Sequence, residues 1–458
     1  MTAAHSFYKN YKIEILIFIL AIIARCLYFG LSVQAYQGDF IGAVRGADGY
    51  YVISQNIIQG HGFSGSITSP YTPDSFRPPI QSYFLASSYT MVGSYWLAIL
   101  LLLLAGSLVP IIAMHITKFI FESRFIIVGT GVVLALEPVS ILYSTLFYSE
   151  TLFMLFFTLA IYYLFSYVRK EVWYHGIFAA ALLGIATLTK TVSLYLPVLI
   201  VIVFLFHFRN ELVKKRVIAA GAFILIFLLV LSPWFYRNYR VSNTFGFTSE
   251  EGVTLYTVLI PSMFAVENGT TWQQEYDAWT KNGVKGPNSA TVDLNSLYIR
   301  ESIPILLAHP WPLFVLCMNT AVAFFTHDGM FDVIKHVGAR PDRLLGQPAL
   351  FLLFSDPMKL LGFVWYYATT PTILVLLMRV VWFIVTILFF LGAVLILQKQ
   401  KFTFYPMMAF VTVLYFLLIT LTIGLTVNSR YRLPIEFLII PFALYGLMYI
   451  KTVWQRFR

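Results

Sequence analysis

Long apolar runs separated by short polar turns dominate this sequence. A run of about 18 or more apolar residues can cross a bilayer as a helix. The pattern predicts spans near 13–33, 94–117, 125–144, 147–167, 174–189, 192–208 and 217–235, and again near 303–325, 373–397, 404–425 and 433–450. The stretch 350–370 reads either as a span or as a segment lying at the interface, because Asp356-Pro357 interrupts it. The first run is too long for the apolar core of a signal peptide and contains Arg25, so it reads as a retained helix.

Two longer polar segments break the pattern. Within 34–93, Asp48, Tyr51, Gln55 and Ile58 recur at helical spacing, which predicts a short helix. Arg77-Pro78-Pro79, followed by aromatic and small residues, predicts an interfacial helix leading into the next span. Within 237–302, Trp272, Tyr276 and Trp279 fall at roughly helical spacing and predict a small cap. No repeat at solenoid periods and no inverted repeat is visible. The expected organisation is a transmembrane module over 1–260 that includes loop 34–93, a loop or cap over 237–302, and a C-terminal transmembrane region over 303–458.

Composition agrees. Of 458 residues, 59% are hydrophobic and 11% charged, where a soluble domain carries about 25% charged residues. So few charges cannot clothe a water-exposed surface, and the chain reads as an all-α polytopic membrane protein. The net charge of +10 does not point to nucleic acid. Much of it sits in short loops, where Lys and Arg set orientation. Placing Lys9, Lys12, Lys118, Arg124, Arg169, Lys170, Arg209, Lys214, Lys215, Arg216, Lys399, Lys401, Lys451, Arg456 and Arg458 in the cytoplasm gives one consistent topology, with 34–93 and 237–302 outside. Ten or twelve spans satisfy it; twelve requires 303–325 and 350–370 both to cross, with Lys335, Arg340 and Arg343 inside. Cys26 and Cys317 lie in apolar runs and read as packing residues.

Ionisable groups then stand out by position. Arg25 and Arg379 are mid-span, where a charge needs a partner, and read as helix–helix contacts. Asp48, Arg77, Glu137, Glu150, Lys190, Arg237, Arg430 and Arg432 map to the outer ends of spans or just beyond. Several fixed cations there suit an anionic group whose tail lies in lipid, such as a phosphate or diphosphate. A carboxylate beside such a site suits sugar transfer. A glycosidic alkoxide needs an acid to help it leave, but a phosphate leaves as a stable anion, so one base acting on the incoming hydroxyl suffices. Asp48 is the candidate base, and Arg77, Lys190, Arg237 and Arg430 are the candidate phosphate contacts. Glu150, Tyr51 and His61 are candidates for positioning substrate. No Walker A, dinucleotide, HExxH or GxSxG pattern is present. No cytoplasmic loop is long enough for a nucleotide-sugar domain, so a donor arrives by the membrane.

These pieces resemble a known family. Gly46-Ala47-Asp48-Gly49-Tyr50-Tyr51, Gly60-His61-Gly62, Arg77-Pro78-Pro79, Glu137-Pro138 through Tyr148-Ser149-Glu150, Thr187-Leu188-Thr189-Lys190, Pro233-Trp234 with Arg237-Asn238, and Arg430-Tyr431-Arg432-Leu433-Pro434 follow each other as in GT-C membrane glycosyltransferases. The branch resembled is that of dolichyl-phosphate-mannose protein mannosyltransferases and the lipid A aminoarabinose transferase. The resemblance covers roughly 13–260 and 426–450. It implies a GT-C fold of about 10–12 transmembrane helices, with short interfacial helices in the extracytoplasmic loops. It also implies an inverting transferase of the plasma membrane, using a polyprenyl-phosphate sugar at the extracytoplasmic face. The acceptor would be a protein, lipid or glycan hydroxyl. Asp48 matches the family's loop acid, taken as the base, and Arg77 a position contacting the lipid phosphate; Arg237 and Arg430 match more loosely. Relatives often carry a second acid after the loop Asp, where Gly49 stands here. Metal binding through paired acids is therefore not supported; a divalent metal stays open, and no metal site or other cofactor is assigned. Two other readings share the same cations: a flippase or transporter of lipid phosphates, and a ligase or polymerase using diphosphate-linked glycans.

Overall fold

The computed structural model describes residues 2–208, 212–281, 291–338, 352–353, 356–370, 372–400 and 403–456. Arg209, Arg340, Arg343, Lys401 and Arg458 of the orientation pattern lie outside the described residues, as do the side chains of Lys9 and Arg456. The described secondary structure is helical, with one isolated bridge between Ser64 and Pro73. In chain order the α-helices are α1 Thr2–Ala35, α2 Phe40–Val44, α3 Tyr50–Ile58, α4 Pro79–Val92, α5 Trp96–Thr117, α6 Arg124–Ala135, α7 Pro138–Ser144, α8 Glu150–Lys170, α9 Trp173–Thr189, α10 Leu196–His207, α11 Val213–Ser242, α12 Glu250–Thr254, α13 Ile260–Asn268, α14 Trp272–Thr280, α15 Val292–Ala308, α16 Pro310–Thr326, α17 Met330–His336, α18 Pro357–Ala368, α19 Ile373–Gln400, α20 Phe404–Thr420 and α21 Glu436–Arg456.

Among the described residues, seven helical stretches are long and apolar enough to cross a membrane, or nine if each of two bent pairs counts as one span. Trp173–Thr189 and Thr191–His207 are shorter apolar helices. The chain is an all-α, multi-pass integral membrane protein. Two expected spans are broken. The span 125–144 bends by 50° between α6 and α7. There Pro138 starts the second helix, and the Glu137 carboxylate caps it by accepting from Ser140 N. The stretch 303–325 is not one helix: α15 and α16 meet at 103°. His309 leaves the helical region (φ −121°, ψ 57°), and Pro310 begins the next helix, since proline cannot donate the bond that would continue the first. The segment 237–302 is also more helical than a small cap, holding α12 to α14 and the start of α15.

Lipid is as apolar as leucine, so close packing and polar contacts hold such helices together. On α8, Phe153, Phe157, Ile161, Leu164 and Phe165 form one buried face, repeating at three- and four-residue steps as a helix requires. Phe416 and Phe437 pack against it. Helices α19 and α21 cross where glycines let the backbones touch. A Cβ on Gly392 would collide with the Phe442 carbonyl oxygen, and one on Gly446 with that of Leu388.

Arginines tie the breaks, two of them, Arg25 and Arg432, fully buried. Arg25 Nη1 donates to the Ala21 and Ala135 carbonyls (both 3.2 Å) and Nη2 to Ser140 Oγ (2.9 Å), joining α1 to the α6–α7 bend. Arg432 donates to the carbonyls of Phe324 (2.9 Å), Phe325 (2.9 Å) and His327 (2.8 Å) and to Glu436 Oε1 (3.1 Å), over the Trp382 ring. It satisfies the last carbonyls of α16, which have no intrahelical partner. Arg379 Nε reaches Asp328 Oδ2 at 2.8 Å, joining α19 to the turn after α16.

Candidate active site

Asp48 sits in the turn between α2 and α3. Gly46 (φ 62°) and Gly49 (φ 81°) give the turn its left-handed corners, the second as the N-cap of α3. A side chain at Gly46 would run into the Tyr148 ring. The turn is pinned to the residues just before α8: Phe147 N donates to the Val44 carbonyl (2.8 Å) and Ala47 N to Tyr148 Oη (2.9 Å). One pair of contacts thus sets Asp48 beside Glu150, the first residue of α8.

Two more elements reach the same point. Lys190 ends α9 in an extended conformation (φ −151°, ψ 127°). Its tight turn is held by Thr187 Oγ1 with Ser193 Oγ (2.9 Å) and by Tyr415 Oη donating to the Val192 carbonyl (2.6 Å). Arg430 lies in the 3₁₀ turn Ser429–Tyr431, capped by Asn428 Oδ1, which accepts from Arg430 N at 3.0 Å. α9 arrives as α8 departs, so the chain's connections bring these termini to one end of the bundle.

The charged groups touch. Arg430 Nη1 donates to Asp48 Oδ1 at 3.1 Å, and Nη2 closes the fork on Oδ2. Arg430 Nε donates to Glu150 Oε1, the oxygen that also takes Lys190 Nζ at 2.6 Å. Glu150 is fully buried, and its other oxygen, Oε2, has no hydrogen-bond partner among the described residues. The Arg430 guanidinium lies over the rings of Tyr148 (4.6 Å) and Tyr143 (5.6 Å), and Lys190 Nζ 5.8 Å from the Tyr431 centroid. Burial pushes the Asp48 carboxyl up, but the charge and hydrogen bonds of Arg430, with Arg77 and Lys190 nearby, outweigh it and hold its pKa at about 2.

Arg77 approaches from another side. Asp74 Oδ1 accepts from Phe76 N (2.9 Å) and Arg77 N (2.8 Å), forming the turn before α4. The guanidinium lies over Phe76 (4.6 Å) and Tyr50 (5.6 Å). Among the described residues it has no carboxylate within ion-pair distance. Of these cations, Arg77 is the one not committed to an acid.

The structure does not bring every candidate together. Arg237 stands apart from the Asp48–Arg430 group. Its donors go to the carbonyls of Asp74 (2.6 Å) and Phe63 (3.3 Å) and to Asn238 Oδ1 (2.9 Å), over the Trp234 ring (4.7 Å). It braces the loop that carries Arg77. Tyr51 packs against Tyr95 and Phe147, in the apolar layer under α3. Its neighbour Tyr50 is the one that faces Arg77, because adjacent helix positions point about 100° apart. His61 is exposed and stacks on Tyr71 with centroids 3.8 Å apart. Sequence reasoning passed over Tyr50, Tyr143, Tyr148 and Tyr431 as walls of the site, although most of them stand inside the motifs quoted above. It also passed over Glu250, which accepts from Thr191 Oγ1 and adds to the field around Arg77 and Tyr50. Glu250 opens α12, within the polar segment 237–302, and stands in none of the motifs. Among the described residues, no three His, Cys, Asp or Glu side chains gather as a metal site.

Residues 76–236 match the sequence model of the dolichyl-phosphate-mannose-protein mannosyltransferase family. This segment holds Arg77, Glu150, Lys190 and Arg237; Asp48 and Arg430 lie outside it. No curated protein matches the chain. The fold is similar to the oligosaccharyltransferase of Archaeoglobus fulgidus tethered with an acceptor peptide containing the NVT sequon. The identity is 13% and the TM-score 0.48, over 99% of this chain and 51% of that one. The apo form of that protein gives 13% and 0.49, over 97% and 51%. ArnT from Cupriavidus metallidurans bound to undecaprenyl phosphate gives 14% and 0.37, over 92% and 77%. The chain spans about half the length of the oligosaccharyltransferase it matches. Over residues 76–236 the chain carries the sequence pattern of the dolichyl-phosphate-mannose-protein mannosyltransferase family, the branch of membrane glycosyltransferases that its motifs resemble.

Proposed function

We propose that this protein is a membrane glycosyltransferase that moves a sugar from a polyprenyl-phosphate donor to an acceptor hydroxyl at the extracytoplasmic face of the plasma membrane. The observation that carries the reading is the four-residue contact Asp48–Arg430–Glu150–Lys190 with Arg77 beside it, uncommitted to any acid. The donor phosphate binds to Arg77, Arg430 and Lys190, which stabilise the charge developing on it. The acceptor oxygen forms a bond to the anomeric carbon from the face opposite the phosphate. The carbon–oxygen bond to phosphate breaks, and its electron pair leaves with polyprenyl phosphate. The hydroxyl proton passes to Asp48, and the anomeric configuration inverts. Glu150 Oε2, buried and unpartnered, supplies an acceptor for a sugar or acceptor hydroxyl. The extracytoplasmic side is supported by the basic loops at the other end of the bundle, since Lys and Arg are enriched in cytoplasmic loops.

The test is release of polyprenyl phosphate from a polyprenyl-phosphate sugar by purified protein with candidate acceptors. Asp48→Asn is expected to lower the rate by roughly 10²–10⁴-fold while leaving phosphate binding in place. A rate within a few-fold of wild type would remove Asp48 from the chemistry. Movement of intact donor across the bilayer without release of phosphate would favour a flippase.

A further inference from the structure

The contact that defines the site also closes it. A base must offer a lone pair to the proton it takes, within about 2.6–3.2 Å of the donor atom. Both Asp48 oxygens are already engaged by one guanidinium fork. The two side chains are only 13% and 18% exposed, so the fork lies across the carboxylate with little room for another donor. In this arrangement Asp48 is paired, not poised.

The partner is exchangeable in a particular way. Guanidinium groups bind carboxylates and phosphates with the same parallel two-bond geometry. A phosphate can therefore replace Asp48 on Arg430 bond for bond and charge for charge; a neutral sugar brings acceptors but no charge, and a lipid tail brings neither. The surroundings are arranged for the exchange. Glu150 keeps Lys190 at 2.6 Å if Arg430 turns away, so this fully buried carboxylate is not stranded. Asp48 has no other direct ion-pair partner among the described residues, and its charge stays within the fields of Arg77 and Lys190. Arg430 itself sits on a 3₁₀ turn of three residues, between the break at Gly424 (φ 55°) and Pro434, so a shift of this turn need not move a long helix.

We infer that Arg430 is a donor-operated latch: it holds Asp48 closed until the phosphate of a polyprenyl-phosphate donor draws the guanidinium away, and so requires donor before acceptor. The inference rests on the proposed donor site. After transfer, departure of polyprenyl phosphate returns Arg430 to Asp48. The latch gives the charged group two arrangements whose balance the phosphate sets by binding one of them better. It also ties base activation to occupancy of the donor site, so that an acceptor hydroxyl alone finds no base.

The experiment uses the whole chain in lipid nanodiscs, imaged by single-particle cryo-electron microscopy with and without added undecaprenyl phosphate. Without the lipid, the Arg430–Asp48 fork is expected. With it, the phosphate is expected within hydrogen-bond distance of Arg430, and at least one Asp48 oxygen more than about 4 Å from the guanidinium, beyond ion-pair range. A phosphate bound at Arg77 and Lys190 with the fork intact overturns the latch and leaves the donor site standing. A phosphate bound away from these three cations overturns the donor site and the latch with it.

Discussion

Lys190 and Arg430 converge on a single oxygen, Glu150 Oε1, from opposite halves of the chain. Glu150 is fully buried, so it is the anion that lets two cations stand side by side at the end of α8 and α9. Replacing it should therefore damage the fold as well as the chemistry. Glu150→Gln is expected to cost about 3–5 kcal/mol, the range for breaking a buried pair and leaving the remaining charges uncompensated. Thermal unfolding in detergent measures it. A melting curve superimposable on wild type would show that the pair contributes nothing net.

Asp48 predicts an acid-dependent stability. Its pKa is held at about 2, below the ordinary value of 3.8, by Arg430, Arg77 and Lys190. A carboxyl with a depressed folded pKa contributes stability that is fully present above its unfolded value and is lost as pH falls through the folded one. The window therefore runs from about pH 5 to about pH 2, and the contribution is on the order of 2 kcal/mol. Chemical denaturation from pH 6 down to pH 2.5 should show wild type losing stability faster than Asp48→Asn. Parallel curves would refute the depressed pKa.

Arg77 and Arg237 should separate by readout. Arg77→Gln removes the cation beside Asp48 and Arg430 that has no acid within ion-pair distance among the described residues, and is expected to weaken undecaprenyl phosphate binding by roughly 10- to 100-fold, as for loss of a charged hydrogen bond, with little change in melting temperature. Arg237→Gln strands the Phe63 and Asp74 carbonyls it now serves, and is expected to destabilise by about 1–3 kcal/mol. Binding titrations and melting curves on both variants check the division. It fails if Arg237→Gln loses phosphate binding at unchanged stability.

The crossing of α19 and α21 should be intolerant of a methyl group. Gly392→Ala places its Cβ on the Phe442 carbonyl oxygen, backbone that cannot swing away. The helices must separate, at a cost of about 1–3 kcal/mol by analogy with overpacked cores. Gly221→Ala, in open space on α11, is the control and should be neutral or better. Comparing the melting temperatures of the two variants decides it.

Much of the architecture was legible because the signal for a membrane helix is local. Length and apolarity alone placed α1, α5, α8 and the three late spans within about five residues of the observed stretches, and placed α11 although it runs on to Ser242, past the expected end at 235. Helical spacing likewise placed the short α3, and Arg77-Pro78-Pro79 the start of α4. What failed was continuity. Hydropathy cannot see the 103° turn at His309-Pro310, because an apolar segment reads the same whether it continues or folds back.

The site divides along the same line. The sequence by itself determined which charges lie at span ends, since an ionisable residue at an apolar boundary is visible in one dimension. Only the tertiary structure decided their partners. Arg430 and Arg432, two residues apart in one motif, part company: the first turns to Asp48 and Glu150, the second to the last carbonyls of α16. Arg237 spends its donors on the loop carrying Arg77, and Tyr50 rather than Tyr51 meets that arginine. A guanidinium's role depends on which acceptors the packed chain puts within 3 Å of it, and those come from distant residues. Composition and spacing carry no record of that choice; the packing of the helix ends makes it.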